Sequence, residues 1–293
     1  MKRFFSIILC FALMLSLSAP AFAINQSRTV IGADLDPNQV AMVYANFGLR
    51  RGDVIELTMT NAEERRYLEG FVDERVIGTR SISCVYVELL PEGSGMSVTT
   101  SNVTWCTGDM YSSALATAGI TDARILVAAP FAVSGTAALS GVYKAYEDMT
   151  GTSLDDMAKL VSTQELTVTG DLAQQIGSMD STSIVSELKL MLNETRNMSD
   201  EEIRSIIIDI AGRYNVSLTD TQINQLISLC RSLEGLNPDQ LKQRVEEVQG
   251  TLQKMSEAKT KVQDFAQNVK QFMESASSFI DKLSELLSRF TNK

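Results

Sequence analysis

Hydrophobic and polar positions follow two rhythms along the 293-residue chain, and the change between them falls near Gly151. Before it, short runs alternate apolar and polar between segments of helical period. Thr29 to Ile31 predicts a short strand, and Asp36-Pro37 opens a helix through about Phe47, with Asp36 as N-cap and Pro37 at the first helical position. Val54 to Thr60 (VIELTMT) alternates as a strand does, and Asn61 to Glu64 makes a capping-box-like start for a short helix ending at Gly70. Thr79 to Leu90 and Met96 to Trp105 alternate on either side of Pro91-Glu-Gly-Ser-Gly95, the pattern of a β-hairpin. A helix from about Asp109 to Ala118, a buried-type strand from Arg124 to Ala129 and a helix from Ser134 to Met149 follow. Strands and helices thus share one core, and residues 24–151 are expected to form an α+β domain, mixed α/β with a small sheet.

After Gly151 the strand signals nearly vanish, and residues 152–236 are expected to be all-α. Ile184 to Leu192 reads as helix, while Thr163 to Ser183 is polar, carries two glycines and reads as a linker or irregular patch. Ser199 with Glu202 and Thr219 with Gln222 are capping boxes, each opening an amphipathic helix. The first buries Ile203, Ile206, Ile207, Ile210 and Tyr214; the second buries Ile223, Leu226, Ile227, Cys230 and Leu233. The two are expected to form an antiparallel hairpin. From Asn237-Pro238 to Lys293 apolar residues step by four and three, through Leu241, Val245, Val248, Leu252 and Met255, then from Ala258 to Phe290, with one extra three-step between Met255 and Ala258. That is a heptad seam with a stammer. An unbroken helix over residues 237–293 would be about 80 Å long and its seam needs cover, which points to a protein partner or to self-association through this segment. Gly250 is the place where it would bend.

The two ends differ in kind. Lys2 and Arg3, the apolar run Phe4 to Leu17 and the small residues of Ala21-Phe-Ala23 compose a secretory signal over residues 1–23. A membrane anchor is the alternative, but the run falls short of the roughly 20 residues that span a bilayer and ends at Pro20. Cys10 follows Leu9 within the apolar run, which argues against lipidation. Cleavage near Ala23 is therefore expected to deliver a chain outside the cytoplasm, secreted or envelope-associated, with no integral membrane anchor.

Charge and composition remove several classes of function. The formal net charge is −10, and loss of Lys2 and Arg3 with the leader takes it to −12. Such a chain repels nucleic acid and anionic lipid, and no Lys/Arg run with interleaved aromatics offsets this. Histidine is absent, which excludes Ser-His-Asp and Cys-His catalysis, histidine metal sites and imidazole switching. Three cysteines remain after cleavage, an odd number that is no disulfide framework. Cys84 and Cys106 flank the expected hairpin, where a single bridge is open, and Cys230 lies on an apolar helix face.

Four constellations carry candidate chemistry. Asp34, Asp36 and Asn38 have the spacing that begins a calcium loop, but the sixth position is Gln39 and the twelfth Ala45, and helix capping already accounts for Asp36. Ser134, Gly135 and Thr136 follow a strand and open a helix, where free N–H groups could hold a small anion, although the Gly-Lys pair of a P-loop is missing. Ser186 and Lys189 match S-x-x-K on an amphipathic helix without companion motifs, which is what chance produces. Paired carboxylates are the catalytic device left open, with Glu63, Glu64, Asp73, Glu74 and Glu88 clustered around the sheet region, although solvated surface acids are far commoner. Trp105, the single tryptophan, ends a strand and is expected in the core, with carbohydrate stacking as an alternative that no other feature supports. No cofactor and no metal are implied.

Asn61-Ala-Glu-Glu64 with Tyr67-Leu68, Ile77-Gly-Thr-Arg80, Asn102 with Trp105, Met110-Tyr111, Ala116-Thr-Ala-Gly119, and Ala129-Pro-Phe131 running into Val133-Ser-Gly-Thr-Ala-Ala-Leu139 form a distinctive series. With Thr169-Gly170 and the two capped helices to about Leu233, the chain resembles the YpuA-like exported proteins of Gram-positive bacteria, a family of unknown function (DUF1002). The resemblance implies an exported bacterial protein and supplies no catalytic residues. Arg65 stands where the family pattern suggests a histidine or another polar residue, which weakens a site there. The expected function is a non-enzymatic envelope or extracellular protein serving interaction or assembly. The alternative is a His-free carboxylate-type hydrolase acting on cell-wall material.

Overall fold

A computed structural model of the protein describes residues 26–70 and 74–250. The expected leader and the heptads beyond Gly250 lie outside the described residues. The described chain through Val248 is one compact unit. Its strands are β1 (Ser27–Gly32), β2 (Ile55–Met59), β3 (Cys84–Leu89), β4 (Met96–Val103) and β5 (Ala123–Val133). Its helices are α1 (Pro37–Phe47), α2 (Asn61–Leu68), α3 (Glu74–Ile77), α4 (Gly108–Ala118), α5 (Thr136–Thr150), α6 (Asp156–Ile176), α7 (Ser178–Leu190), α8 (Leu192–Thr195), α9 (Asp200–Arg213) and α10 (Asp220–Leu233), followed by α11 over residues 238–250. The fold is α+β and mostly helical.

The strands form one sheet in the order β2-β1-β3-β5-β4. β1 pairs parallel with β2 and β4 with β5, while β3 runs antiparallel to both β1 and β5. Four strands therefore share a direction and β3 opposes them from the centre. The alternating runs expected to pair as a hairpin contain strands, β3 from Cys84 onward and β4, but residues 79–83 are not strand and the two are not partners, because β5 lies between them. Cys84 to Val87 is buried on both faces, as befits a central strand with a helix packed on each side of the sheet, whereas β4 is half-exposed and forms an edge. The connection through Gly95 crosses the start of β5, where Asp122 accepts the N–H of Leu90 on its carbonyl (3.0 Å) and that of Gly95 on its carboxylate (2.7 Å).

Strand alternation divides the core. Ile31, Cys84, Tyr86 and Ala128 face α1 and pack on Val40, Val43, Tyr44 and Phe47. Val30 and Val85 face the opposite side, where Gly141 of α5 lies against both. Asp36 and Gln39 cap α1 as a box. In α2 the box is Thr60 with Glu63, one residue earlier than the spacing from Asn61 suggests.

Beyond α5 the helices build a second cluster, with Ile184, Leu188, Ile203, Ile207, Leu226 and Leu233 fully buried. Both predicted capping boxes are present on α9 and α10. Arg204 reaches Asp220 (2.8 Å) and Arg231 reaches Asp200 (2.7 Å), which fixes the pair as antiparallel. Leu241 and Val245, the first two positions of the heptad seam, are buried in this same cluster.

The segment expected to be a linker is instead most of α6 and the start of α7, and Thr163, Glu165, Thr169, Ser181 and Thr182 within it are buried. The hydroxyls are satisfied within the helix: Thr163, Thr167 and Thr169 each donate to the carbonyl four residues earlier, at 2.9, 2.9 and 2.7 Å. Gly170 lets the Trp105 ring lie where a side chain would stand, since a Cβ there would meet it at 2.4 Å. Small and hydroxylated residues thus let α6 approach α4 and Trp105 closely, and composition alone resembles that of a loop.

At this close approach Lys189 of α7 and Glu165 of α6 form an ion pair of 2.8 Å in which both side chains are 1% exposed. The Lys189 ammonium also donates to the Ser113 carbonyl (2.9 Å), the Ser113 hydroxyl (2.9 Å) and the Thr117 hydroxyl (3.2 Å) of α4. Glu165 accepts from both hydroxyls, at 2.6 and 2.5 Å. Removing one partner of a buried pair strands the other, at a cost of about 3–5 kcal/mol. Lys189→Met is expected to lose that much stability in urea unfolding, and the double variant Lys189→Met, Glu165→Leu to recover most of it. Equal losses in the two would show that Glu165 is not what makes Lys189 necessary.

Candidate functional site: the carboxyl ends of the parallel strands

Because β1, β2, β4 and β5 share a direction, their carboxyl ends meet at one edge of the sheet, the edge where open α/β sheets hold ligands. At the β1–β2 half this edge is closed by the chain itself. The segment before β3 crosses the end of β1: Ser81 donates its N–H to the Asp34 carboxylate (2.7 Å), Arg80 donates to the Asp34 carbonyl (2.7 Å), and the Ser81 carbonyl sits so close to Gly32 that a Cβ there would meet it at 2.3 Å. Ser81 is itself fully buried.

Under this crossing lies Glu64, also fully buried. Among the described residues its carboxylate takes hydrogen bonds from the Ser81 hydroxyl and, at 3.4 Å, from the Asn61 amide. Neither is a cation. Burial pushes the carboxyl up to about 7, the acids Asp34 and Glu63 add to the rise, and the bonds from Ser81 and Asn61 oppose it. Its neighbour Glu63 behaves in the opposite way. Against the cost of partial burial, hydrogen bonds from Lys144 (2.6 Å) and Thr60 hold Glu63 down at about 2.

The other clustered acids do not join these two. Glu74 pairs with Arg65 (2.8 Å), which also donates to the Gly78 carbonyl, and Glu88 pairs with Arg124 (3.0 Å). Glu88 lies toward the opposite end of β3 from Ser81, about 20 Å away at strand rise. Asp73 lies outside the described residues. A groove of about 430 Å³ between α9 and α10 is polar, but its Arg204 and Arg231 are engaged by Asp220 and Asp200. Asp36 caps α1 through the N–H groups of Asn38 and Gln39, both at 2.9 Å, and Asp34 is held by Ser81. Lys189 of the S-x-x-K match belongs to the interior ion pair. Cys84, Cys106 and Cys230 are free, and burial pushes each thiol up to about 12, so none is a reactive thiolate near neutral pH.

The β4–β5 half of the edge is built differently. Ser101 is in register with Ala128, yet Val103 is in register with Val133, so β5 arches out of the ladder between them. Asn102 stands opposite the arch with φ 58°, a left-handed conformation, and its side-chain amide donates to the Ala129 carbonyl (2.8 Å). Phe131, at the crest, is 44% exposed. The Thr104 N–H and hydroxyl both donate to the Val133 carbonyl, at 2.9 and 3.0 Å. The residues expected to hold an anion follow directly. The Ser134 carbonyl accepts from the Cys106 N–H (3.2 Å), the Gly135 carbonyl accepts from the Tyr111 hydroxyl (2.5 Å), and Thr136 is buried. Trp105, beside them, is half-buried rather than fully within the core.

The pH response of Glu64 follows from its surroundings. The fold prefers the protonated form, so its contribution is complete below about 4.5 and is lost as the pH rises through about 7. The contribution is about 3 kcal/mol. Glu63 acts in a separate window, where stability falls as the pH drops from about 4.5 toward about 2. With no histidine to titrate in between, melting temperature is expected to decline from pH 5 to pH 8 and Glu64→Gln to flatten that decline. A slope unchanged by Glu64→Gln would assign the titration to another group.

The family described as "Protein of unknown function (DUF1002)" matches residues 31–255. The chain is also similar to "Uncharacterized protein YpuA" of Bacillus subtilis (strain 168), with 34% identity over 218 residues, which covers 74% of this chain and 75% of that protein. No solved structure matches significantly. The chain is a member of the DUF1002 family of proteins of unknown function.

Proposed function

We propose that the chain is an exported, non-enzymatic protein of the cell envelope or extracellular space that acts as an interaction or assembly module. The arrangement of its acids carries this reading. A carboxylate hydrolase needs an acid and a base facing one cleft, some 5–10 Å apart. Here Glu64 is fully buried beneath Ser81, while Glu63, Glu74 and Glu88 are each paired with a different cation at separate places. The leader-like pattern of residues 1–23 supports delivery outside the cytoplasm.

Assembly rests on the heptad seam. Since Leu241 and Val245 are used within the helical cluster, the surface proposed for a partner or a second copy begins at Leu252. Light scattering should find the chain lacking its leader larger than monomeric and a version ending at Gly250 monomeric. Monomers in both cases would retire the assembly half of the proposal.

For interaction with the envelope, the chain is expected to sediment with purified cell wall and to release no soluble fragments across a range of pH. Released fragments would establish the hydrolase instead. A chain that neither sediments nor cleaves would leave the wall-binding reading without support.

A further inference from the structure

The arch of β5 is a built departure from regular pairing. Opposite it, Asn102 of β4 adopts a left-handed φ of 58°, a region that Asn enters more readily than other non-glycine residues, and the ladder is interrupted between the Ser101 and Val103 pairings. The arch is nevertheless firmly based, since Ala129 is fully buried and its carbonyl is held by the Asn102 amide. What this backbone presents is the ring of Phe131, 44% exposed. A lone exposed aromatic is ordinary on a protein surface. An aromatic raised where the ladder is interrupted, on an arch anchored from beneath, is not.

The groups that bond at this end of the sheet select the ligand. The side chains that hydrogen-bond at this end of β4 are uncharged amides and hydroxyls: Asn46 with Ser101, Asn102 with the Ala129 carbonyl, and Thr104 with the Val133 carbonyl. No cation takes part in these bonds, and the chain's net charge of −10 works against an anion. A protein hot spot sets its aromatic in a water-excluding surround, whereas Asn102 and Thr104 are exposed polar residues. A sugar ring has the complementary chemistry, with a C–H face to lie on the phenyl ring and hydroxyls to pair with amides and hydroxyls.

We propose that the β5 arch binds a neutral glycan chain, with Phe131 as the stacking platform and Asn102 as the residue that positions it. The proposal rests on the reading of the chain as an envelope binding module and names the ligand class of that module.

Trp105, the single tryptophan, lies three residues from Asn102 and reports on the site by its fluorescence. Titration of the full chain without its leader with chitohexaose and with maltohexaose should give a saturable change for at least one. Phe131→Ala should weaken that binding about tenfold and Phe131→Tyr should retain it, with melting temperatures unchanged in both. No saturation with either sugar, or equal affinity in Phe131→Ala, overturns the proposal. Undiminished sedimentation of Phe131→Ala with cell wall also overturns it, while leaving the envelope-binding reading standing. Sugar binding without wall sedimentation supports the arch and removes the wall as its target.

Discussion

The ion pair between Glu165 and Lys189 joins the two halves of the described molecule. Ser113 and Thr117, which complete its hydrogen bonds, belong to the helix that links β4 to β5, whereas Glu165 and Lys189 come from the two helices that begin the helical cluster. None of these groups is satisfied unless α4, α6 and α7 are all in place. An apolar contact tolerates small slips between helices, while a buried charge with a fixed set of partners tolerates very few. The pair therefore sets how the helical layers register against the sheet. The small and hydroxylated faces of α4 and α6 then allow the close contact that registration requires.

Much of the fold is legible in the chain because it depends on local patterns. The caps at Asp36, Ser199 and Thr219 and the apolar stripes of α9 and α10 can be read within a dozen residues. Strand partners cannot, since the alternation of β3 and β4 is compatible with a hairpin and with the insertion of β5. The unbroken apolar run Cys84-Val-Tyr-Val87 was the signal that β3 needed a neighbour on each side. The helix α6 escapes notice because its threonines satisfy themselves inside the helix, so a composition typical of loops conceals a buried element. Lys189 carried a subtler mark: it shares a helical face with Val185 and Leu192, where a charge implies a buried partner. The candidate sites were only half visible, because the closeness of Glu64 to Ser81 and of Asn102 to Ala129 arises from the crossing of segments distant in sequence.

The absence of histidine takes on a different meaning beside Glu64. A chain without imidazole has lost the usual group that changes charge between pH 5 and 8, yet a carboxyl buried from water, with no cation bonded to it among the described residues, titrates in the same range. Its location is equally telling. The edge of the sheet that commonly serves as a ligand crevice is occupied over β1 by the segment around Ser81, with Glu64 beneath it. The remaining part of that edge, at β4 and β5, is where the backbone departs from regular pairing and an aromatic faces solvent.

The position of β5 between β3 and β4 also governs the order in which the sheet can be made. No two of its strands are joined by a tight turn, so a chain that emerges N-terminus first has no hairpin from which to begin. β3 can find β1 once residue 89 has appeared, but its other side stays an open edge, apolar on both faces, until the chain has run on past Ala128. During that interval β4 is already present and has nothing to pair with in the native arrangement. The folding molecule thus carries an unprotected strand edge until some forty further residues have emerged, the kind of exposure that favours aggregation or capture by a chaperone.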